Sequence, residues 1–169
     1  MNGKVVIRFL FILLLIYVGT AYLLDKQRES DLISNNKSIV KIKQEFKFHY
    51  LDKGEFTNNN IEGKDIVLYF FSPECSECNK MSPKICELAK SYPDIQFLMV
   101  SNESKDLLLR YSKKMLCSYL KILVDDQNIS TIKFSIYSVP TIVIFKKGNL
   151  KERIVGNVKL SFIEEKIRK

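Results

Sequence analysis

The chain has 169 residues, 46% of them hydrophobic and 27% charged, which excludes global disorder and leaves room for one compact domain plus an appendage. Its formal charge is +8, from 27 lysines and arginines against 19 acids. The lysines are scattered and no nucleic-acid-binding motif accompanies them, so an anionic membrane surface suits this charge better than nucleic acid.

Residues 5–24, "VVIRFLFILLLIYVGTAYLL", form an apolar run broken only by Arg8. Twenty helical residues span about 30 Å, the thickness of a bilayer hydrocarbon core, and Arg8 near the end of the run can snorkel to the headgroups. A cleaved signal peptide is the alternative, with Lys4 and Arg8 as its charged region and Gly19-Thr20-Ala21 as a cleavage site. Continuation of the run through Tyr22, Leu23 and Leu24 favours an uncleaved anchor. Lys4 and Arg8 place the short tail 1–4 on the cytoplasmic side, although Lys26, Arg28 and Lys37 blunt the asymmetry. The expected localisation is therefore the cell membrane, single-pass, with the soluble part extracytoplasmic. Residues 25–44 are polar and mixed in charge and read as a linker.

A folded domain is expected over 45–169. It begins with a hairpin in "FKFHYLDKGEF", turning at Gly54. After a turn at Gly63, Ile66 to Phe71 is a continuous apolar run, the pattern of a strand buried on both faces. Ser72-Pro73 ends it, and Cys75 to about Tyr92 reads as a helix that Pro83 should kink. A strand over 95–101, a helix over 105–115 and a strand over 119–125 follow, then a turn at 125–128 and a short helix, "ISTIKF". "YSVPTIVIFKKGNLKERIVG" supplies a strand, a turn at 147–149 and an antiparallel return strand, and an amphipathic helix over 160–169 closes the chain. Alternating strands and helices ending in a hairpin imply an α/β domain with a mixed central sheet flanked by helices.

Cys75-Ser76-Glu77-Cys78 falls where the buried strand gives way to the helix. The first cysteine sits where unpaired backbone N–H groups and the helix dipole favour a thiolate, and the second lies one turn on, close enough to close a small disulfide ring. Cys75 would attack a substrate disulfide and Cys78 would resolve the mixed disulfide. Glu74 and Glu77 oppose ionisation of Cys75 and only Lys80 offsets them, which favours a reductase.

The order strand, C-x-x-C, helix and later Val139-Pro140-Thr141 before a strand resembles the thioredoxin superfamily. It is most similar to the membrane-anchored, exported TlpA-like redoxins, with "FFSPEC" worded like those of methylamine dehydrogenase maturation. The resemblance covers roughly Phe46 to the C-terminus. It implies a thioredoxin-like fold and thiol–disulfide exchange with a disulfide-containing or dithiol partner protein. It also implies regeneration by a membrane redox partner, and a cis proline at Pro140 with Val139 presenting backbone to the substrate. Three positions depart from the family. Glu74 stands where a tryptophan is frequent, and the chain contains no Trp. Tyr69 occupies the place of a buried acid that transfers protons. Met81 replaces the glutamate of the cytochrome c maturation reductases.

The same residues admit rival readings. Cys86 and Cys117 bring the cysteines to four, but their separation of 31 positions does not supply the second close pair of a structural zinc site. Core packing is the default for Cys86, while an oxidising compartment would also allow it to pair with Cys117. The only histidine, His49, is expected as a strand or surface residue, and no Gly-rich loop indicates a nicotinamide or flavin cofactor. A peroxiredoxin-like peroxidase would carry threonine where Ser72 stands. A membrane-tethered peptide-binding or assembly factor would need neither cysteine.

Overall fold

In the computed structural model the described residues are 19–20, 45–115, 117 and 119–168. The chain divides into two compact units, residues 1–39 and 40–169. Of the first, only Gly19 and Thr20 are described, both helical. The tail, the linker and the predicted anchor otherwise lie outside the described residues, among which no helix is long and apolar enough to cross a membrane.

The second unit is built on a seven-stranded mixed sheet. Its strands are β1 (Lys47–Tyr50), β2 (Glu55–Thr57), β3 (Ile66–Phe70), β4 (Gln96–Ser101), β5 (Lys121–Val124), β6 (Thr141–Lys146) and β7 (Asn149–Val155). Between them lie α1 (Asn58–Ile61), α2 (Ser76–Ser91), α3 (Lys105–Lys114), α4 (Ile129–Phe134) and, last, α5 (Leu160–Arg168). The sheet order is β2-β1-β5-β4-β3-β6-β7. Central β3 pairs parallel with β4, Leu68 opposite Leu98, and antiparallel with β6, Leu68 opposite Val143.

Every residue of β3 is buried, because both faces of the sheet are covered. Successive side chains point to opposite faces. Val67 and Tyr69 pack with Met81, Ile85 and Leu88 of α2, Leu108 of α3 and Ile163 and Ile167 of α5. Ile66, Leu68 and Phe70 join the opposite core, with Phe48 of β1, Phe56 of β2 and Phe134 of α4. Phe134 sits at the centre of that second core, its ring within 6.1 Å of those of Phe46, Phe48, Phe70 and Phe145. Burying each such ring stabilises the fold by about 1.5–3 kcal/mol.

The predicted elements appear in their predicted order, with one addition. The helical turn α1 follows Thr57, whose backbone and hydroxyl both bond the Asn60 side chain (2.7 and 3.2 Å). The run Asn58-Asn59-Asn60 carries no apolar period, so only this cap announces the turn. At the far end, Gly148 sits at φ +80° with its N–H on the Lys64 carbonyl at 2.8 Å, and a Cβ there would lie 2.8 Å from Gly63 N. Glycine is required by both conditions, which locks the β6–β7 turn against the turn that precedes β3.

Candidate functional site

Strand β3 ends at Phe70, and residues 71–75 turn the chain into α2. Ser72 fixes this turn. Its carbonyl accepts from Cys75 N at 3.1 Å, and its hydroxyl accepts from Glu74 N at 3.2 Å while donating to Glu103 Oε1 at 2.7 Å. Cys75 is the N-cap of α2, extended at φ −80° and ψ 116°, and its Sγ accepts from Cys78 N at 3.2 Å. A sulfur thus takes the place usually held by a serine or aspartate oxygen, in line with the unpaired N–H groups of the first turn.

The segment before β6 faces this sulfur. The Val139–Pro140 peptide bond is cis, and Cys75 Sγ lies 3.8 Å from the Val139 carbonyl oxygen. Gly156 N donates to the Pro140 carbonyl (2.8 Å) and Thr141 Oγ1 to the Ser138 carbonyl (2.7 Å), which hold the loop from both sides. Val139 is partly exposed and Tyr137 strongly so, and both border a recess of about 320 Å³. Cys75, Cys78, Val139 and Pro140 are therefore brought together, from sequence positions 61 or more apart.

The two thiols are unlike. Both are unbridged, with Cys75 half-exposed and Cys78 fully buried. Burial, and then the hydrogen bond to Cys75, push the Cys78 thiol up to about 12, while a hydrogen bond from Tyr69 works in the opposite direction. Glu77 is held below the usual carboxylate range by Lys80 first, then by Asn157, whose Nδ2 donates to it at 2.9 Å. Lys80, expected to offset the acids, is engaged by this one.

Cys86 and Cys117 are joined in a disulfide, with Cα atoms 6.1 Å apart. The default of simple packing for Cys86 is thereby corrected: α2 runs beside α3, and the chain leaving α3 returns Cys117 to the middle of α2. The bridge consumes two of the thiols a four-cysteine zinc site would need. His49 lies in β1, with Nε2 4.0 Å from Asp126 Oδ2, on the strand as expected and outside the site.

Two residues near the dithiol escaped the sequence reading. Ser82, buried in α2, donates to the Cys78 carbonyl at 2.9 Å, and Tyr111 of α3 donates to Ser82 Oγ at 2.9 Å. Ser82 Oγ also lies 3.5 Å from the hydroxyl of Tyr69, which donates to the same carbonyl at 3.0 Å. The signal for Ser82 was its spacing, four residues after Cys78 on one helical face; Tyr111 had none.

The sequence matches the family described as Thioredoxin over residues 47–169. Among curated relatives it is similar to Thioredoxin M-type, chloroplastic, of Pisum sativum. The two are 28% identical over 104 residues, 62% of this chain and 48% of the pea protein, so the chain spans about half the length of that relative. Among solved structures it is similar to the exposed lipoprotein thioredoxin Etrx1 of Streptococcus pneumoniae, with a TM-score of 0.67 at 22% identity, covering 74% of this chain and 98% of that one. It is also similar to a secreted Mycobacterium tuberculosis disulfide oxidoreductase homologous to E. coli DsbE. There the TM-score is 0.66 at 16% identity, with 76% of this chain and 96% of that one covered. At these identities the structural likeness is one of fold. The family match covers the whole described sheet, the cysteine-capped helix and the cis proline facing it, and the chain belongs to the thioredoxin family.

Proposed function

We propose that this chain is a thiol–disulfide oxidoreductase working on partner proteins through Cys75 and Cys78, in the reducing direction. One observation carries the reading: a half-exposed sulfur at a helix N-cap, 3.2 Å from Cys78 N and 3.8 Å from the Val139 carbonyl, lies above a fully buried second thiol. Cys75 attacks the substrate disulfide because it alone of the two is accessible. Cys78 waits beneath, protonated, and resolves the mixed disulfide from inside, while Val139 and Pro140 border the substrate's path. In the exchange the S–S bond of the substrate breaks and that of Cys75–Cys78 forms, and two electrons pass to the substrate sulfurs.

Burial at Cys78 supports this direction. A dithiol is a weak reductant when protein contacts stabilise its thiolate form, and here burial disfavours that form at Cys78. The peroxidase alternative is weakened by Ser72, whose hydroxyl proton is given to Glu103 rather than to the Cys75 sulfur. The apolar run 5–24 supports a membrane-anchored, extracytoplasmic placement. So does the Cys86–Cys117 bridge, a kind of bond that persists in oxidising compartments. Regeneration would then fall to a membrane electron donor, and the substrates would be exported proteins with cysteine pairs, among them multi-disulfide subunits of the kind the "FFSPEC" wording suggests.

The test is the reduction potential of the pair in the full chain, by titration against dithiothreitol or glutathione. Alkylated peptides read by mass spectrometry separate it from Cys86–Cys117. A value near about −270 mV or below is expected, and one near about −120 mV would reverse the direction. The absence of any reversible two-electron couple would leave peptide binding without catalysis.

A further inference from the structure

A groove of about 840 Å³ runs along α2 from Glu74, the residue before Cys75, to the Cys86–Cys117 bridge, with α3 as its other wall. The thiol chemistry described above makes no use of it. Its lining is mostly apolar, with Pro73 and Pro83 on one side, Leu107, Tyr111 and Met115 on the other and the bridge at the far end. These five side chains all keep contact with solvent. An apolar surface left open in this way and rimmed by charge marks a place where another molecule docks.

Charge is unevenly spread along the groove. Glu74 stands at its head, next to Cys75, while Lys90 of α2 and Arg110 and Lys114 of α3 line it further on, opposed there by Glu87 alone. All three cations are exposed, and among the described residues none makes an ion pair, not even Lys90 with Glu87 one turn before it. An acidic group brought close to Cys75 would be repelled by Glu74. The same group at the far end would meet unpaired cations from both walls. The 15 positions from Cys75 to Lys90 rise about 22 Å in a helix, which an extended chain covers in about six or seven residues.

We propose that the α2–α3 groove docks the partner protein in the exchange, by a segment with its disulfide cysteine at one end, apolar side chains along its length and acidic residues about six or seven positions away. This rests on the dithiol reading above and adds the chemistry of the partner to it. Two observations commit the groove to that occupant. It is continuous with the reacting sulfur through Glu74, so a chain lying in it arrives at Cys75 without crossing other surface. Its unpaired cations complement an acidic end at the distance where one would fall. The formal charge of +8 also favours acidic partners, but at physiological salt such a field fades within about 8 Å. The local arrangement therefore sets the register of the segment, and net charge does not.

Two synthetic peptide disulfides test the docking on the reduced full chain. Each is a dimer of one peptide, made in both chain directions: a cysteine, about six mostly apolar residues, then a run of either glutamates or lysines. Hydroxyethyl disulfide is the neutral reference, and oxidation of Cys75–Cys78 is followed by acid quench and mass spectrometry after alkylation. In the faster direction the acidic peptide is expected to react about tenfold faster than the basic one, a preference that falls below about twofold near 1 M salt. Serines in place of its apolar residues should slow the acidic peptide about fivefold. Arg110→Glu with Lys114→Glu should abolish or invert the preference, a ratio within one protein that cancels any change in the dithiol. Lys151→Glu with Arg153→Glu makes the same change of charge on the edge strand β7, outside the groove, and should leave the ratio within about twofold. Equal losses in the two variants would reduce the preference to net charge and overturn the docking. So would a serine-containing peptide that reacts as fast, or a dimer of the chain that only the groove variant dissociates, which would seat a second copy there. Hydroxyethyl disulfide that reacts while the peptides show no preference overturns the docking alone. A dithiol that none of these disulfides oxidises overturns the thiol–disulfide reading itself, and the docking with it.

Discussion

Helix α2 carries parts of two cysteine pairs that differ in nearly every respect. At its N-terminus Cys75 and Cys78 are three positions apart and unbridged, and Cys75 faces the loop that leads into β6, the strand beside β3. Two turns further on, Cys86 is bridged to Cys117, 31 positions away. The first pair sits where backbone N–H groups point at a sulfur, so its bonding can change without moving the helix. The second ties α2 to the chain leaving α3, and it frames the distance that the Tyr111–Ser82 hydrogen bond spans. A local pair at a cap suits reversible chemistry; a distant pair on a helix flank suits construction.

The sharpest way to break that division is to exchange the substitutions. Cys75→Ser is expected to lower turnover of a disulfide substrate by about a thousandfold or more, and Cys78→Ser to trap the mixed disulfide, visible as a shifted band on a non-reducing gel. Cys86→Ala with Cys117→Ala should leave turnover within a few-fold. If the double alanine variant proved as inactive as Cys75→Ser, the two pairs would share one function.

The same double variant should show its effect in stability. Opening a 31-residue loop releases conformational entropy in the unfolded chain and costs about 3–4 kcal/mol, which a urea titration reads as a lower midpoint at similar slope. Reducing Cys75–Cys78 should have a far smaller effect, since its ring is short.

How much of this was legible follows the same line between local and distant. The hairpin at Gly54, the buried run ending at Phe71, the cysteine at the head of a helix and the proline before β6 are written in neighbouring residues. Tyr69 could be singled out as a departure from an expected acid, but its partners could not. Ser82 reads as an ordinary helical serine, and Tyr111 reaches it only because α3 packs beside α2 in this register. The Cys86–Cys117 bridge was hidden for the same reason: periodicity says which face of a helix is apolar and not which residue of another element it meets. The turn α1 was missed because three asparagines carry no period at all.

A pH titration sharpens the contrast within the first pair. The unfolded thiol of Cys78 ionises near about 8.5, whereas burial raises the folded one to about 12. Between these values the unfolded chain has given up a proton that the folded chain keeps. The stability contributed by the buried thiol is complete below about pH 8.5 and is lost as pH rises toward the folded value, by about 1 kcal/mol per unit. Once Cys75 and Cys78 are oxidised together, neither titrates and this slope disappears. Urea midpoints of the reduced and oxidised chains should therefore diverge between about pH 8.5 and 10, since the tyrosines titrate in both chains and cancel from the difference. Parallel curves would mean that Cys78 gains water in the reduced state.

The smallest expected effect lies at the surface beside the same pair. Glu77 stays ionised because Lys80 and Asn157 hold it, and its carboxylate lies one residue before Cys78 and two after Cys75. Its charge opposes a negative sulfur at Cys75, but the side chain is solvated and its pairing with Lys80 already spends part of its field. Glu77→Gln should raise the alkylation rate of Cys75 by about twofold at low ionic strength, and the gain should vanish near 1 M salt, where the screening length falls to about 3 Å. A gain that survives high salt would have a contact origin, through the lost Asn157–Glu77 bond and a loosened loop before α5. Glu74→Gln discriminates between the two, since that acid makes no ion pair among the described residues and should give a salt-sensitive gain of similar size without touching Asn157.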